Sequence, residues 1–173
     1  AMIWLKKSHI NGISDLKGKT IAIPGLPFQE LFLGKVLAAG GLTLEDVTVE
    51  SDANEMVPDL VSGKADAIFG RSNLQGAELE ARGLEPVITP VQDLGFPDYS
   101  ETVLIAQADC VSKKPNLFRN FLSALASGTT AAVEDPEGAV NALETEYETN
   151  PETSRKAMKA QVEATFPLLS RSG

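Results

Sequence analysis

The chain has 173 residues, a formal net charge of -9 and a mean hydropathy of -0.04, with 43% hydrophobic and 23% charged residues. This is the composition of a folded globular chain with one sizeable core. The acidic balance argues against nucleic acid as a partner, because phosphate binding needs a basic surface, and no apolar run approaches the ~20 residues of a membrane span. Cys110 is the single cysteine and His9 the single histidine. That inventory excludes an internal disulfide and a multi-ligand Cys/His metal site, and argues against a Ser/His/Asp hydrolase.

Met2 to Leu5 is apolar and reads as a core-docking end, followed by a polar connector from Lys6 to Gly12. Ile3, Trp4 and Leu5 are too few for the apolar region of a signal peptide, and Lys6 and Lys7 follow them instead of preceding them. The rest of the chain is organised around the stretch Asp15 to Phe28. A turn at Gly18-Lys19 leads into the apolar run Thr20 to Ile23, and Pro24, Gly25 and Pro27 stop it before an amphipathic segment. Ligands in open α/β sheets bind at the carboxyl ends of strands, where such a loop presents backbone N-H groups at a helix start.

Phe28, Leu31, Phe32, Leu33, Val36 and Leu37 recur at helical spacing up to the stop at Gly40-Gly41, and Val47 to Val49 is a second strand. Asn54 is a candidate cap for a helix carrying Met56, Val57, Leu60 and Val61 on one face. Ala65 to Gly70 is a short buried strand whose carboxyl end delivers Arg71, Ser72 and Asn73. Asn73 to Arg82 reads as a helix, Pro86 to Thr89 as a fourth strand and Thr102 to Ala106 as another. Alternating strand and helix predict an α/β fold with a mostly parallel, three-layer βαβ sheet.

Beyond that point the pattern is helical. Pro115 suits a first helical position, Leu117, Phe118, Phe121, Leu122 and Leu125 carry a helix to about Val133, and Asp135-Pro136 and Asn150-Pro151 mark two further helix starts. These helices need a sheet or each other to cover their apolar stripes. The acidic run Glu144 to Glu148 reads as a solvated face, and Cys110, with no base nearby in sequence, as structural.

The segments DLKGKTIAIPG (15-25), MVPDLVSGKADAIFG (56-70), GFPDYSETVLIA (95-106), NLFRNFLSALASG (116-128) and EDPEGAV (134-140) occur in the order found in one group of proteins. From Trp4 to about Val140 the chain resembles the substrate-binding proteins of ABC importers for thiamine-type pyrimidine precursors, and more loosely the sulfonate, nitrate and taurine binders. The resemblance implies a periplasmic-binding-protein-like type II fold, in which two lobes close on a small ligand. It implies residues 13-101 as the insert, or second, lobe and 102-173 as a mainly helical return to the first lobe, with 1-12 as hinge or tail. The rest of the first lobe would then lie outside this chain. Residues 102-166 are therefore expected to pair with another copy, to exchange elements with it, or to fold around the insert lobe.

By position in that pattern, ligand contacts would come from Gly25, Leu26, Pro27, Phe28 and Gln29, from Arg71, Ser72 and Asn73, and from Tyr99. Each also has a plainer reading: Phe28 as core, Pro24 and Gly25 as a turn, Arg71 as a solvated loop charge. Relatives that bind pyrimidines carry an Asn-His-Glu run where this chain has Arg71 to Gln75. A neutral amide at Gln75 cannot supply the carboxylate that favours a protonated aminopyrimidine, whereas Arg71 offers a planar donor fork to an anionic group. The resemblance further implies an extracytoplasmic solute-binding component with an ABC permease as partner, no cofactor, no metal and no catalysis. Alternatives are a pyrimidine-synthesising enzyme on the same scaffold, whose cysteine-rich motif and active-site histidine have no match here, a regulatory ligand-binding domain, and a remnant that binds nothing.

Overall fold

The computed structural model describes residues 1-51, 56-100, 102-146 and 155-169. Among them, the strands β1 (Met2–Leu5), β2 (Thr20–Ile23), β3 (Thr48–Ser51), β4 (Ala67–Phe69) and β5 (Pro86–Thr89) form one sheet in the order β3-β2-β4-β1-β5. The helices are α1 (Pro27–Ala39), α2 (Met56–Ser62), α3 (Ala77–Ala81), α4 (Ala108–Lys113), α5 (Pro115–Glu134), α6 (Pro136–Glu146) and α7 (Arg155–Thr165).

The sheet is covered on both faces at its inner strands β1, β2 and β4, which explains why these read as apolar runs without polar alternation, whereas the edge strand β3 is largely exposed. Successive side chains point to opposite faces, so Met2 and Trp4, Ile21 and Ile23, and Ala67 and Phe69 meet Leu33, Val36 and Leu37 of α1 on one side. Ile3 and Leu5, Ala22 and Ile68 meet Met56, Val57 and Leu60 of α2 and Leu79 of α3 on the other. The result is the three-layer α/β arrangement expected from the alternating pattern.

Two features differ from the expectation. The sheet is mixed: β2 runs parallel to β3 and β4, but β1 lies antiparallel between β4 and β5. Met2–Leu5, read as a docking end within a hinge or tail, is thus an interior strand, and its pairing with residues far along the chain is what closes the sheet. Thr102 to Ala106 is not a strand. Its β-branched composition favours one, but no sheet edge among the described residues reaches it, and Val103, Leu104 and Ile105 remain exposed.

The helical half divides. α7 packs on α3, on the turn before it and on α6, burying Ala157 together with Val140 of α6. α5 packs chiefly against its sequence neighbours α4 and α6, and none of its residues is buried. The expected cap at Asn54, the helix start at Asn150-Pro151, and Tyr147 and Glu148 at the end of the acidic run lie outside the described residues.

Candidate functional site

β2 and β4 are parallel neighbours, with Ala22 opposite Ile68, so the chain leaves both at the same sheet edge. Two loops therefore start about 5 Å apart, the usual spacing of paired strands. One is Pro24 to Gln29, which enters α1, and the other is Gly70 to Gly76, which enters α3.

The first loop turns at Gly25. Its φ of 76°, with a Cβ position only 3.4 Å from the Ser51 carbonyl oxygen at the end of β3, favours glycine. Leu26 then caps α1 through its backbone: its N-H donates to Gln29 Oε1 at 3.0 Å while its carbonyl accepts from the Gln29 N-H at 2.8 Å. Gln29 thus holds the corner in shape. Leu26 and Phe28 are left half exposed beside it.

Phe28 is the outermost ring of an aromatic row. It meets Phe32 edge-on at 6.1 Å, Phe32 stacks on Phe96 at 5.4 Å, and Tyr99 lies 5.9 Å from Phe32, itself half exposed. Lys35 sits over the Phe96 ring. The loop 95-99 is thereby fastened to α1, so Tyr99 joins the first loop although it is some seventy residues away in sequence.

The second loop is a π-helical turn, Ser72–Gly76, a geometry frequent at functional sites. Gln75 closes it as Gln29 closes the other: the Arg71 N-H donates to Gln75 Oε1 at 2.9 Å. Gly70 permits this, because a Cβ there would lie 2.8 Å from the same oxygen. Arg71 and Ser72 are exposed. Asn73 points elsewhere, donating from Nδ2 to Thr165 Oγ1 of α7 at 2.8 Å, and Gln161 of α7 donates to the Leu74 carbonyl at 3.4 Å.

Of the nine positions picked from the sequence, Gly25, Leu26, Pro27, Phe28, Gln29 and Tyr99 gather around the start of α1, and Arg71 and Ser72 leave the adjacent strand. Asn73 is tied to α7. The bracing by Gln29 and Gln75 went unread in the sequence, although a glutamine three residues after a helix-capping position is a recognisable capping signature. So did the parts of Phe32, Phe96 and Thr165, the residues that hold Phe28, Tyr99 and Asn73. Among the described residues no three His, Cys, Asp or Glu side chains gather where a metal could be held.

The fold that carries these two loops matches periplasmic-binding-protein-like structures. The periplasmic aliphatic sulphonate binding protein SsuA from Escherichia coli superposes with a TM-score of 0.69 at 15% identity, over 94% of this chain and 51% of that one. Residues 1-139 match the NMT1/THI5 like family, and the chain belongs to it. It is 30% identical over 169 residues to the formylaminopyrimidine-binding protein of Halalkalibacterium halodurans, covering 97% of this chain and 47% of that protein. It is 28% identical over 145 residues to the 4-amino-5-hydroxymethyl-2-methylpyrimidine phosphate synthase of Schizosaccharomyces pombe, covering 78% and 42% respectively. The chain spans about half the length of these curated relatives.

Proposed function

We propose that this chain is the ligand-holding part of a solute-binding component of an ABC-type importer, working outside the cytoplasm and taking a small polar molecule without chemical turnover. The observation that carries the reading is the pairing of two braced loops on adjacent parallel strands. One offers the half-exposed rings of Phe28 and Tyr99, and the other offers Arg71 and Ser72. A flat apolar body can lie on aromatic faces while a guanidinium fork takes an anionic group. Gln29 and Gln75 act by keeping the loops in place, so a ligand meets a preformed surface and little ordering entropy is lost on binding. Similarity to pyrimidine and sulphonate binders supports a ligand with one of these two characters, and Arg71 favours the anion. Residues 13-101, together with the interior strand Met2–Leu5, then form the ligand lobe and 102-173 the return segment.

The test is a thermal-shift and calorimetric screen of pyrimidines, sulfonates and carboxylates on the full chain. A ligand at a hundredfold excess over its Kd adds about 2.7 kcal/mol of stability. Arg71→Ala should abolish the shift for an anionic ligand, and Phe28→Ala together with Tyr99→Ala should weaken it for a flat one. A ligand that binds both variants as well as it binds the unaltered chain would refute this placement of the site. The similarity to a named synthase supports a second reading, an enzyme on the same scaffold, which product formation in the presence of iron or a pyridoxal cofactor would establish. The single Cys110 and single His9 weigh against it.

A further inference from the structure

On the reading that these two loops hold the ligand, we infer that Gln29 and Gln75 set its chemical class. Their carboxamides are fixed with the oxygen inward, so each loop presents N-H donors, and the pair selects a flat molecule with an oxyanion head over one that leads with N-H groups.

The two side chains occupy equivalent places. Ala22 and Ile68 are register partners in the parallel pair of β2 and β4, and Gln29 and Gln75 each follow seven residues later. Each turns back to the start of its own loop. Gln29 Oε1 accepts from the Leu26 N-H at 3.0 Å, and Gln75 Oε1 accepts from the Arg71 N-H at 2.9 Å. Because the partner in both cases is a donor, the oxygen must be the inner atom and Nε2 the outer one. The planar amide therefore directs its N-H2 group away from the backbone N-H that it braces. Both glutamines are partly exposed, and neither Nε2 has a hydrogen-bond partner among the described residues.

Bracing alone does not require an amide. A glutamate reaches the same N-H, caps a helix start equally well, and would add a charge-assisted bond at the positive end of α1. The chain carries 24 acidic residues, yet positions 24-29 and 70-76 contain none, and their one charge is that of Arg71. What glutamine adds at both positions is an N-H2 group in place of a negative oxygen. The same bias runs through the second loop. Arg71 can only donate, and Asn73, whose carbonyl could have served as an acceptor, is turned to Thr165 of α7. A sulfonate or carboxylate head, which only accepts, is satisfied by such a rim. An amino group placed there finds only the Ser72 oxygen, and unpaired polar groups of this kind discriminate steeply between ligands.

Calorimetry on the full chain with benzenesulfonate, benzoate and 4-aminopyrimidine, three flat probes of similar size, should find an anion bound about tenfold or more tighter than the pyrimidine. The tighter of the two anions names the head group. Gln29→Glu and Gln75→Glu keep an oxygen on the Leu26 or Arg71 N-H, so Tm and the exchange of those amides should be unchanged. Each should nevertheless lower anion affinity about tenfold and raise that for 4-aminopyrimidine. Glu30→Gln changes charge by the same amount on the next, exposed residue of α1, and should move the preference less than about twofold, as expected for a screened surface charge. Tighter binding of 4-aminopyrimidine by the unaltered chain, or no binding of either anion, would overturn the proposal. So would glutamate variants that bind the anions like the unaltered chain, or an equal and opposite shift in Glu30→Gln, which would reduce the effect to net charge. With any of these results, a ligand lost in Arg71→Ala would still leave the site between the two loops. A ligand indifferent to Arg71→Ala and to Phe28→Ala with Tyr99→Ala would remove the site and this inference together.

Discussion

Thr165→Val is the sharpest probe of how the helical half is coupled to the candidate site. The Thr165 hydroxyl accepts from Asn73 Nδ2 at 2.8 Å and donates to the Gln161 carbonyl at 2.7 Å. Valine has nearly the same shape, so packing is kept and only these bonds are lost. The Gln161 carbonyl belongs to the helical ladder and loses little, whereas the Asn73 amide is left without its partner in a partly buried position. A net hydrogen bond is worth 0.5–1.5 kcal/mol, and partial access of water keeps the cost near the middle of that range, about 1 kcal/mol. Urea unfolding should show this loss at constant m. A double-mutant cycle with Asn73→Ala should return a coupling of about 1 kcal/mol, and Thr165→Ser should restore most of it. The amides of Leu74 and Gly76, both bonded to the Arg71 carbonyl at 3.3 Å, should exchange faster in the valine variant. Coupling below about 0.3 kcal/mol, the usual error of additivity, with unaltered exchange would show that α7 does not brace the loop.

Three further outcomes are expected. Leu33 of α1 is fully buried against the sheet, so Leu33→Ala should cost about 2–5 kcal/mol in chemical denaturation, and a loss under 1 kcal/mol would contradict that packing. Gly25→Ala forces a side chain into the left-handed region beside Ser51, which should cost about 1–2 kcal/mol and lower Tm, with Gly12→Ala, where nothing lies within 4 Å of the added methyl, as the control. Hydrogen bonds from Lys159 and Arg155 hold the Glu137 carboxyl below the usual carboxylate range, and Glu137 in turn raises Lys159. The Glu137 contribution is present above its unfolded-state pKa and is lost as pH falls through the lower folded value. That of Lys159 is present below its unfolded-state pKa and is lost as pH rises through the higher folded one. Carboxyl NMR titration should find Glu137 depressed in the native chain and moved back up in Lys159→Met, and no movement would count against the α6 and α7 ion pair.

The helices were legible wherever the apolar spacing was regular. The stripe from Phe28 to Leu37 and that from Leu117 to Leu125 both became α-helices, because 3.6-residue periodicity depends only on neighbours in sequence. Strand assignment depends on partners, and there the reading erred in both directions. Met2–Leu5 has no alternation because both its faces are buried, and its partners Ala67 to Phe69 and Pro86 to Thr89 are more than sixty residues away. Thr102 to Ala106 has strand composition and, among the described residues, no strand to pair with. The site divided in the same way. The corner at Pro24 to Phe28 announced itself through proline, glycine and the strand before it. The orientation of Asn73 could not be read, because its partner Thr165 is 92 residues away.

The interior position of β1 has a consequence for the order of events during synthesis. Its two neighbours in the sheet end at Phe69 and Thr89, so once made it has no partner until about sixty residues more have followed, and lacks its second until about eighty have. At about 5–20 residues per second, that wait is on the order of ten seconds. Closing such a long loop is entropically slow, and β2, β3 and β4 can assemble locally before it closes. Meanwhile Met2, Ile3, Trp4 and Leu5, all buried in the finished fold, stand in water as a bare apolar segment. The pairings that shelter Met2–Leu5 wait for residues made much later, and nascent chains are most open to chaperone capture or aggregation during that interval.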